Sequence, residues 1–247
     1  VKPPELAGDF AVRDLTVGYG AHFVLRAVSF EVPAGSVAGI IGPNGSGKST
    51  LLKAIAGVIP SAGAITYAGR PVRELAARVA FVPQREDVNW EFPVTAGGVV
   101  LMGRFRQAGW LRRPGRTDRE RAAAALDRMG LAGMEGRHIS QFSGGQQQRV
   151  FLARAMVQDP VLVLLDEPFT GIDAENRAVF HAAIQEFARA GVTVLMATHD
   201  LEEVVETCSH ICALNGRLVA FGPTSTTYTA DVLRETFGGR VAVVPAR

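Results

Sequence analysis

The stretch Ser36-Val37-Ala38-Gly39-Ile40-Ile41-Gly42-Pro43-Asn44-Gly45-Ser46-Gly47-Lys48-Ser49-Thr50 passes from an apolar run into a glycine-rich turn and then into helix-forming sequence. A short apolar run closed by glycine predicts a buried strand, and the residues from Lys48 to about Ala56 predict a helix that Gly57 and Pro60 interrupt. Between them the chain meets the spacing GxxxxGK[ST]. The glycines let the backbone curl close to a phosphate and turn successive amides towards its oxygens. Lys48 is placed to reach the β and γ phosphates of ATP, and the Ser49 hydroxyl to ligand Mg²⁺, with Thr50 assisting at the phosphate and the helix start. This pattern points to nucleotide binding more strongly than to hydrolysis.

A matching acidic end lies downstream, where the apolar run Val161–Leu165 is followed by Asp166-Glu167. A buried strand would hold Asp166 rigidly near Mg²⁺, while Glu167 orients or deprotonates the attacking water. Gln84 follows the predicted strand Val79–Val82 and Pro83, a place for a movable polar side chain that senses the γ phosphate or completes the metal shell. His199 follows the apolar run Val192–Ala197 and is placed to touch the same phosphate.

Ser143-Gly144-Gly145-Gln146 opens a further helix, and Ser143 with Gln146 has the spacing of a capping box. The Ser hydroxyl, the glycine amides and the positive helix end would also suit a γ phosphate. One phosphate needs no second large cradle from the same chain. A head-to-tail pair, with Ser143–Gln146 of one chain facing Lys48 of the other, gives ATP two surfaces to bridge, and hydrolysis then removes the bridge.

Around these segments the pattern is α/β. Phe10–Val17 and Val24–Val32 read as early strands, Ile65–Tyr67 as another, and Ile211–Leu214 with Leu218–Phe221 as a hairpin about Asn215-Gly216. Residues 85–140 read as a mostly helical excursion, with Thr117 and Glu120 at capping-box spacing and Ala122, Ala123, Leu126 and Met129 on the buried side. Gly109–Arg116 reads as an exposed loop, and one more short helix is expected beyond Pro223. The expected organisation is a single domain over 1–247, a helical subdomain at about 85–158 and a C-terminal extension at about 222–247.

Composition narrows the classes. The 26 basic and 24 acidic residues leave a formal charge of +2, too little for a global field directed at nucleic acid. No apolar run is long enough to span a bilayer, so a membrane role would come through docking. Val1 to Gly8 has no secretory pattern, which favours the cytoplasm, although Val1 is not a Met and the true start is open. Cys208 and Cys212 stand without further ligands nearby and read as reduced structural thiols, and the histidines are scattered.

The ordered set Tyr19, Gly42–Thr50, Gln84, Phe142–Gln146, Val161–Glu167, Gly171–Asp173 and His199 resembles an ABC transporter ATPase over almost the whole chain. Phe142 stands where many members have Leu, and Gly171 where Ser is frequent. The resemblance implies a P-loop NTPase core with an N-terminal antiparallel β portion and a helical excursion, and a chain that hydrolyses ATP. It implies that Tyr19 stacks on adenine, that Glu167 is the catalytic base and that His199 stabilises the γ phosphate. It also implies that Gln84 links nucleotide to a permease, that Ser143, Gly144, Gly145 and Gln146 complete ATP in the opposite subunit, and that Ser143, Gly145 and Asp173 lie at a dimer interface.

The stretch Phe81–Thr95 continuing to Val100–Arg104, with Gln141–Arg149 and Cys208–Phe221, is similar to ATPases of manganese, zinc and iron uptake systems. That likeness implies a divalent metal importer, manganese ahead of zinc or ferrous iron. Its partners would be a second copy of the chain, an integral membrane permease and an extracytoplasmic metal-binding protein, at the cytoplasmic face of the plasma membrane. Trp90 and Phe92 are candidates for a groove that takes a permease helix, with core packing the alternative for both. An importer of an iron chelate or another small solute is a second reading. A repair or translation ATPase would carry an extra arm, a tandem copy or a basic face, and none is evident.

Overall fold

Alternation of apolar and polar residues sets the first layer. Phe10, Val12, Leu15 and Val17 of β1 (Phe10–Tyr19) are buried, as are Leu25, Val28, Phe30 and Val32 of β2 (His22–Val32). The two strands pair antiparallel, Phe10 opposite Val32, and β4 (Ala62–Tyr67) with β5 (Arg70–Pro71) extends the sheet in the order β2-β1-β4-β5. The computed structural model describes residues 1, 4, 6–20, 22–105, 114–172 and 174–239, and of residues 19 and 174–176 the backbone alone.

The continuous apolar runs form the second sheet, in the order β10-β9-β3-β8-β7-β6. Its strands are β3 (Val37–Ile41), β6 (Val79–Val82), β7 (Leu162–Asp166), β8 (Thr193–Ala197), β9 (His210–Leu214) and β10 (Leu218–Pro223). All neighbours run parallel except β10, which returns antiparallel beside β9. Strands covered on both faces need no alternation. Val163 and Leu165 face one core cluster while Leu162 and Leu164 face the other, and Val194 and Met196 oppose Leu195 and Ala197 in the same way. Each such Leu, fully buried, contributes about 1.5–3 kcal/mol.

Register decides where the chemistry lies. Ile40 is opposite Ala197, Ala197 is opposite Asp166, and Leu165 is opposite Val82. The chain therefore leaves β3, β6, β7 and β8 along one edge, at Gly42, Pro83, Glu167 and Thr198. In open α/β sheets this carboxyl edge is where ligands bind.

Helices Ala96–Met102, Arg116–Arg128 and Gly144–Val157 pack on one another through Val99, Val100, Leu126, Met129, Val150 and Phe151. The structure corrects the expected start of the second. Thr117 and Glu120 form no capping box; the helix begins at Arg116 after Gly115, whose N–H donates to Asp118 Oδ2 at 3.0 Å. Asp118 is the shorter acid and lies three residues from Gly115, so it takes the cap, and Glu120 pairs with Arg116 at 2.8 Å instead. Ala122, Ala125, Leu126 and Met129 are buried, whereas Ala123 is only half-buried. Beyond Pro223 two short helices follow rather than one, Thr224–Thr227 and Ala230–Phe237, because Thr229 caps a new start by accepting from Val232 N at 3.3 Å. Of the expected loop Gly109–Arg116, residues 109–113 lie outside the described residues, as do 240–247.

Candidate nucleotide site

Gly42 shows why the turn after β3 has its composition. Its φ is +158°, and a Cβ built there would lie 2.1 Å from Leu214 O and 2.6 Å from Ser46 Oγ. The backbone thus passes against the β9–β10 hairpin, and Gly216 N donates to Ser46 O at 2.9 Å. The helix Lys48–Ile55 starts from Gly47 without a side-chain cap, which leaves its first amides for a ligand.

A cleft of ≈ 530 Å³ is lined by Val24, Asn44, Gly45, Gly47, Lys48, Ser49, Thr50, Gln84 and Glu167. Residues from β2, the glycine turn, the segment after β6 and the end of β7 meet there. Lys48 is buried, and its Nζ donates to Gly42 O at 2.8 Å and Pro43 O at 3.2 Å. Burial pushes its ammonium pKa down, while the charges of Glu167 and Asp166 work against that shift. Ser49 Oγ donates to Asp166 Oδ1 at 2.9 Å. Asp166 is fully buried, and burial pushes its carboxyl pKa up; the Ser49 hydrogen bond and Lys53 pull it down, while Glu167 and Asp87 add to the rise. Its Oδ2 has no hydrogen-bond partner. A buried carboxylate oxygen without a partner beside a hydroxyl is a hard oxygen pair that fits Mg²⁺.

Glu167 sits at φ +50°, a left-handed conformation that costs a non-glycine residue about 1–3 kcal/mol. Its N–H donates to Ala197 O at 2.9 Å, which ties the end of β7 to the end of β8. Its Oε2 lies 2.6 Å from His199 Nδ1 and accepts from Thr170 Oγ1 at 3.3 Å. The structure therefore brings Glu167 and His199 into contact and places Lys48, Ser49, Thr50, Gln84 and Glu167 around one space. Thr170 and Val24 are neighbours of this site that motif reading missed. Thr170 is three residues beyond Glu167, at turn spacing, and Thr170 N also donates to Glu167 O.

Ser143, Gly144, Gly145 and Gln146 are not among the residues that line this cleft. They open the Gly144–Val157 helix, where Ser143 Oγ accepts from Gln146 N at 3.3 Å and Ser143 N donates to Gln146 Oε1 at 2.9 Å. Ser143 is exposed. Trp90 rests edge-on against Phe151, ring centroids 5.2 Å apart, and its Nε1 donates to Arg85 O at 2.9 Å. It is partly buried core, whereas Phe92 is 55% exposed. The Tyr19 side chain and Asp173 lie outside the described residues. Cys208 and Cys212 are buried free thiols, each pushed up to about 12 by burial. No helix among the described residues is long and apolar enough to cross a membrane.

Comparison with known proteins agrees with this geometry. A family model described as ABC transporter matches residues 25–170. The chain is 44% identical over 232 residues to the zinc transport system ATP-binding protein TroB of Treponema pallidum, covering 94% of this chain and 87% of that one. It is 44% identical over 229 residues to the manganese transport system ATP-binding protein MntB of Bacillus subtilis, covering 92% of each. A solved inward-facing ABC transporter described as of metal-chelate type superposes with a TM-score of 0.81 at 28% identity, over 94% of this chain and 89% of that one.

Proposed function

The chain belongs to the ABC transporter family as an ATP-binding and hydrolysing subunit, and from that premise we propose that it powers import of a divalent transition metal, manganese first. The observation that carries the catalytic part is the 2.6 Å contact between Glu167 Oε2 and His199 Nδ1 beside Lys48 and the Ser49–Asp166 pair. Glu167 takes a proton from the attacking water, and His199, on the neighbouring strand end, fixes the carboxylate and reaches the γ phosphate. Lys48 and the turn amides bind the phosphates, and Gln84 reports the γ phosphate to the segment that follows it. Ser49 and Asp166 would hold Mg²⁺, which when bound neutralises phosphate charge.

Tyr19 stacks on adenine in this reading, and Asp173 lies at the interface of two chains. The second chain supplies Ser143–Gln146, and the exposure of Ser143 at a helix start supports a role towards a neighbour. Residues 85–158 act as the helical subdomain that carries it, and 222–247 as an extension. The pair docks on a membrane permease at the cytoplasmic face, with Gln84 and exposed Phe92 on the docking side, and an extracytoplasmic protein delivers the metal. The manganese-named relative supports manganese; the zinc-named relative at equal identity supports zinc as the second reading.

Uptake by the complex reconstituted with its permease, across manganese, zinc and iron, with ATP hydrolysis followed in parallel, tests the cargo. Manganese uptake coupled to hydrolysis is expected, and coupling to none of the three metals overturns metal import. Ser143→Arg tests the pairing: it should abolish ATP-dependent dimerisation while nucleotide binding persists, and unchanged dimerisation overturns the opposed geometry.

A further inference from the structure

Besides Asp166 and Glu167, one more acidic side chain is buried among the described residues: Glu203, 4% exposed, on the helix Leu201–Thr207. It does not line the nucleotide cleft. A buried carboxylate is unfavourable unless it is paired, and apolar side chains of similar volume would hold two helices together as well. What a paired carboxylate adds is direction.

The pairing is specific. Arg177 Nη1, from the helix Ala174–Arg189, lies 2.5 Å from Glu203 Oε1 and 3.4 Å from Asp200 Oδ2. His181 of the same helix places Nε2 2.8 Å from Glu203 Oε2 without a hydrogen bond to it, and its Nδ1 lies 2.9 Å from Thr207 Oγ1. The His181 ring stacks on Phe169 with centroids 4.9 Å apart. Asp200 Oδ1 accepts from Glu202 N and Glu203 N, so the same carboxylate that Arg177 touches caps the helix.

Each end of this cluster therefore touches a residue beside one member of the Glu167–His199 pair. Phe169 is two residues after Glu167, and Asp200 follows His199. The His199 side chain is 60% exposed, so packing around its own ring does not set its position. Its placement comes from the contact with Glu167 and from the segment that carries it.

We infer that Glu203, held by Arg177 with His181 packed beside it, is a positioning residue that sets the segment bearing His199 against Glu167. This rests on the assignment of those two residues under the proposed function. It acts through backbone placement and touches neither nucleotide nor water.

The test is a double-mutant cycle on the full chain, with single-turnover ATP hydrolysis and equilibrium ATP binding as readouts. Displacing a reacting group by ~1 Å costs on the order of a hundredfold in rate, so Glu203→Gln should lower the rate about tenfold to a hundredfold. ATP affinity should stay within about twofold, because a group acting only in the transition state leaves ground-state binding alone. In a His199→Ala background the same change should add less than about twofold, the non-additivity of residues that act through each other. An equal loss in both backgrounds, or no loss in either, overturns the clamp. Normal turnover in His199→Ala by itself overturns the reading of the pair, a separate failure that removes the clamp's purpose with it. Should Glu203→Gln not fold, His181→Ala at a partly exposed side chain enters the same cycle, with the same outcomes deciding.

Discussion

Gly42–Thr50 and Ser143–Gln146 both present backbone amides at the start of a helix, yet the fold supports them in opposite ways. The first is enclosed: Lys48, Asp166 and Glu167 are buried, Asp166 Oδ2 has no partner, and the helix start has no side-chain cap. The second is capped within itself, the Gln146 backbone amide answered by Ser143 Oγ and the Ser143 N–H by Gln146 Oε1. One segment holds polar groups that a triphosphate and a cation would satisfy. The other is a capped helix start with Ser143 on the surface. The proposed two-chain site would use this separation of strained chemistry from a self-capped helix start.

The largest expected effect lies on the enclosed side. Glu167→Gln should lower ATP turnover by about 10²–10⁴-fold, the range for loss of a general base, while nucleotide binding persists. Phosphate release and equilibrium binding measured on one preparation decide it, and near-normal turnover would remove the chemical distinction between the two regions. Next comes a matched glycine pair. Gly42→Ala drives a Cβ into Leu214 O at positive φ and should cost about 3 kcal/mol or more. Gly144→Ala meets only the Arg85 side chain, at 3.0 Å, and should stay within about 1 kcal/mol. Chemical denaturation of both variants gives the comparison, and equal costs would erase it.

Where several local signals agreed, the sequence was legible. An apolar run, glycines at fixed spacing and a helix-forming sequence all required the same strand, turn and helix, and β3 with the helix Lys48–Ile55 follows them. Ser143 and Gln146 are close enough in sequence for their box to be read directly. The start at Arg116 was harder, since Asp118 and Glu120 competed for the cap within one turn. Trp90, open to a groove or a core reading, packs edge-on against Phe151 and stays half-buried. The left-handed Glu167 and the Glu203 cluster left no local signal, whereas the Thr170 contact is a three-residue turn. The first arises when β7 meets β8, and the second when the helices on either side of β8 pack together.

On the self-sufficient side the effects are smaller. Ser143→Ala removes the acceptor for Gln146 N and should destabilise the chain by about 0.5–2 kcal/mol, with no dependence on carboxylate titration. Denaturation midpoints at acid and neutral pH check this, and a loss that grows with pH would show that the cap is coupled to the charged cleft.

The smallest change, and the one that separates the two regions most sharply, is Asp166→Asn without nucleotide. Burial raises the folded-state pKa of Asp166 above its unfolded value. Below the unfolded pKa the carboxyl is protonated in both states and no penalty arises. As pH rises through the folded pKa the native state must hold the charge, and stability falls. Removing that charge should therefore raise the melting temperature of the nucleotide-free chain at neutral pH, with the gain vanishing as pH falls below the usual carboxylate range. The lost Ser49–Asp166 charge contact offsets part of the gain, while ATP–Mg²⁺ should stabilise the variant less than the parent. A melting temperature that drops at neutral pH would mean that Asp166 is held for the fold, and the enclosed segment would then resemble the exposed one in supporting itself.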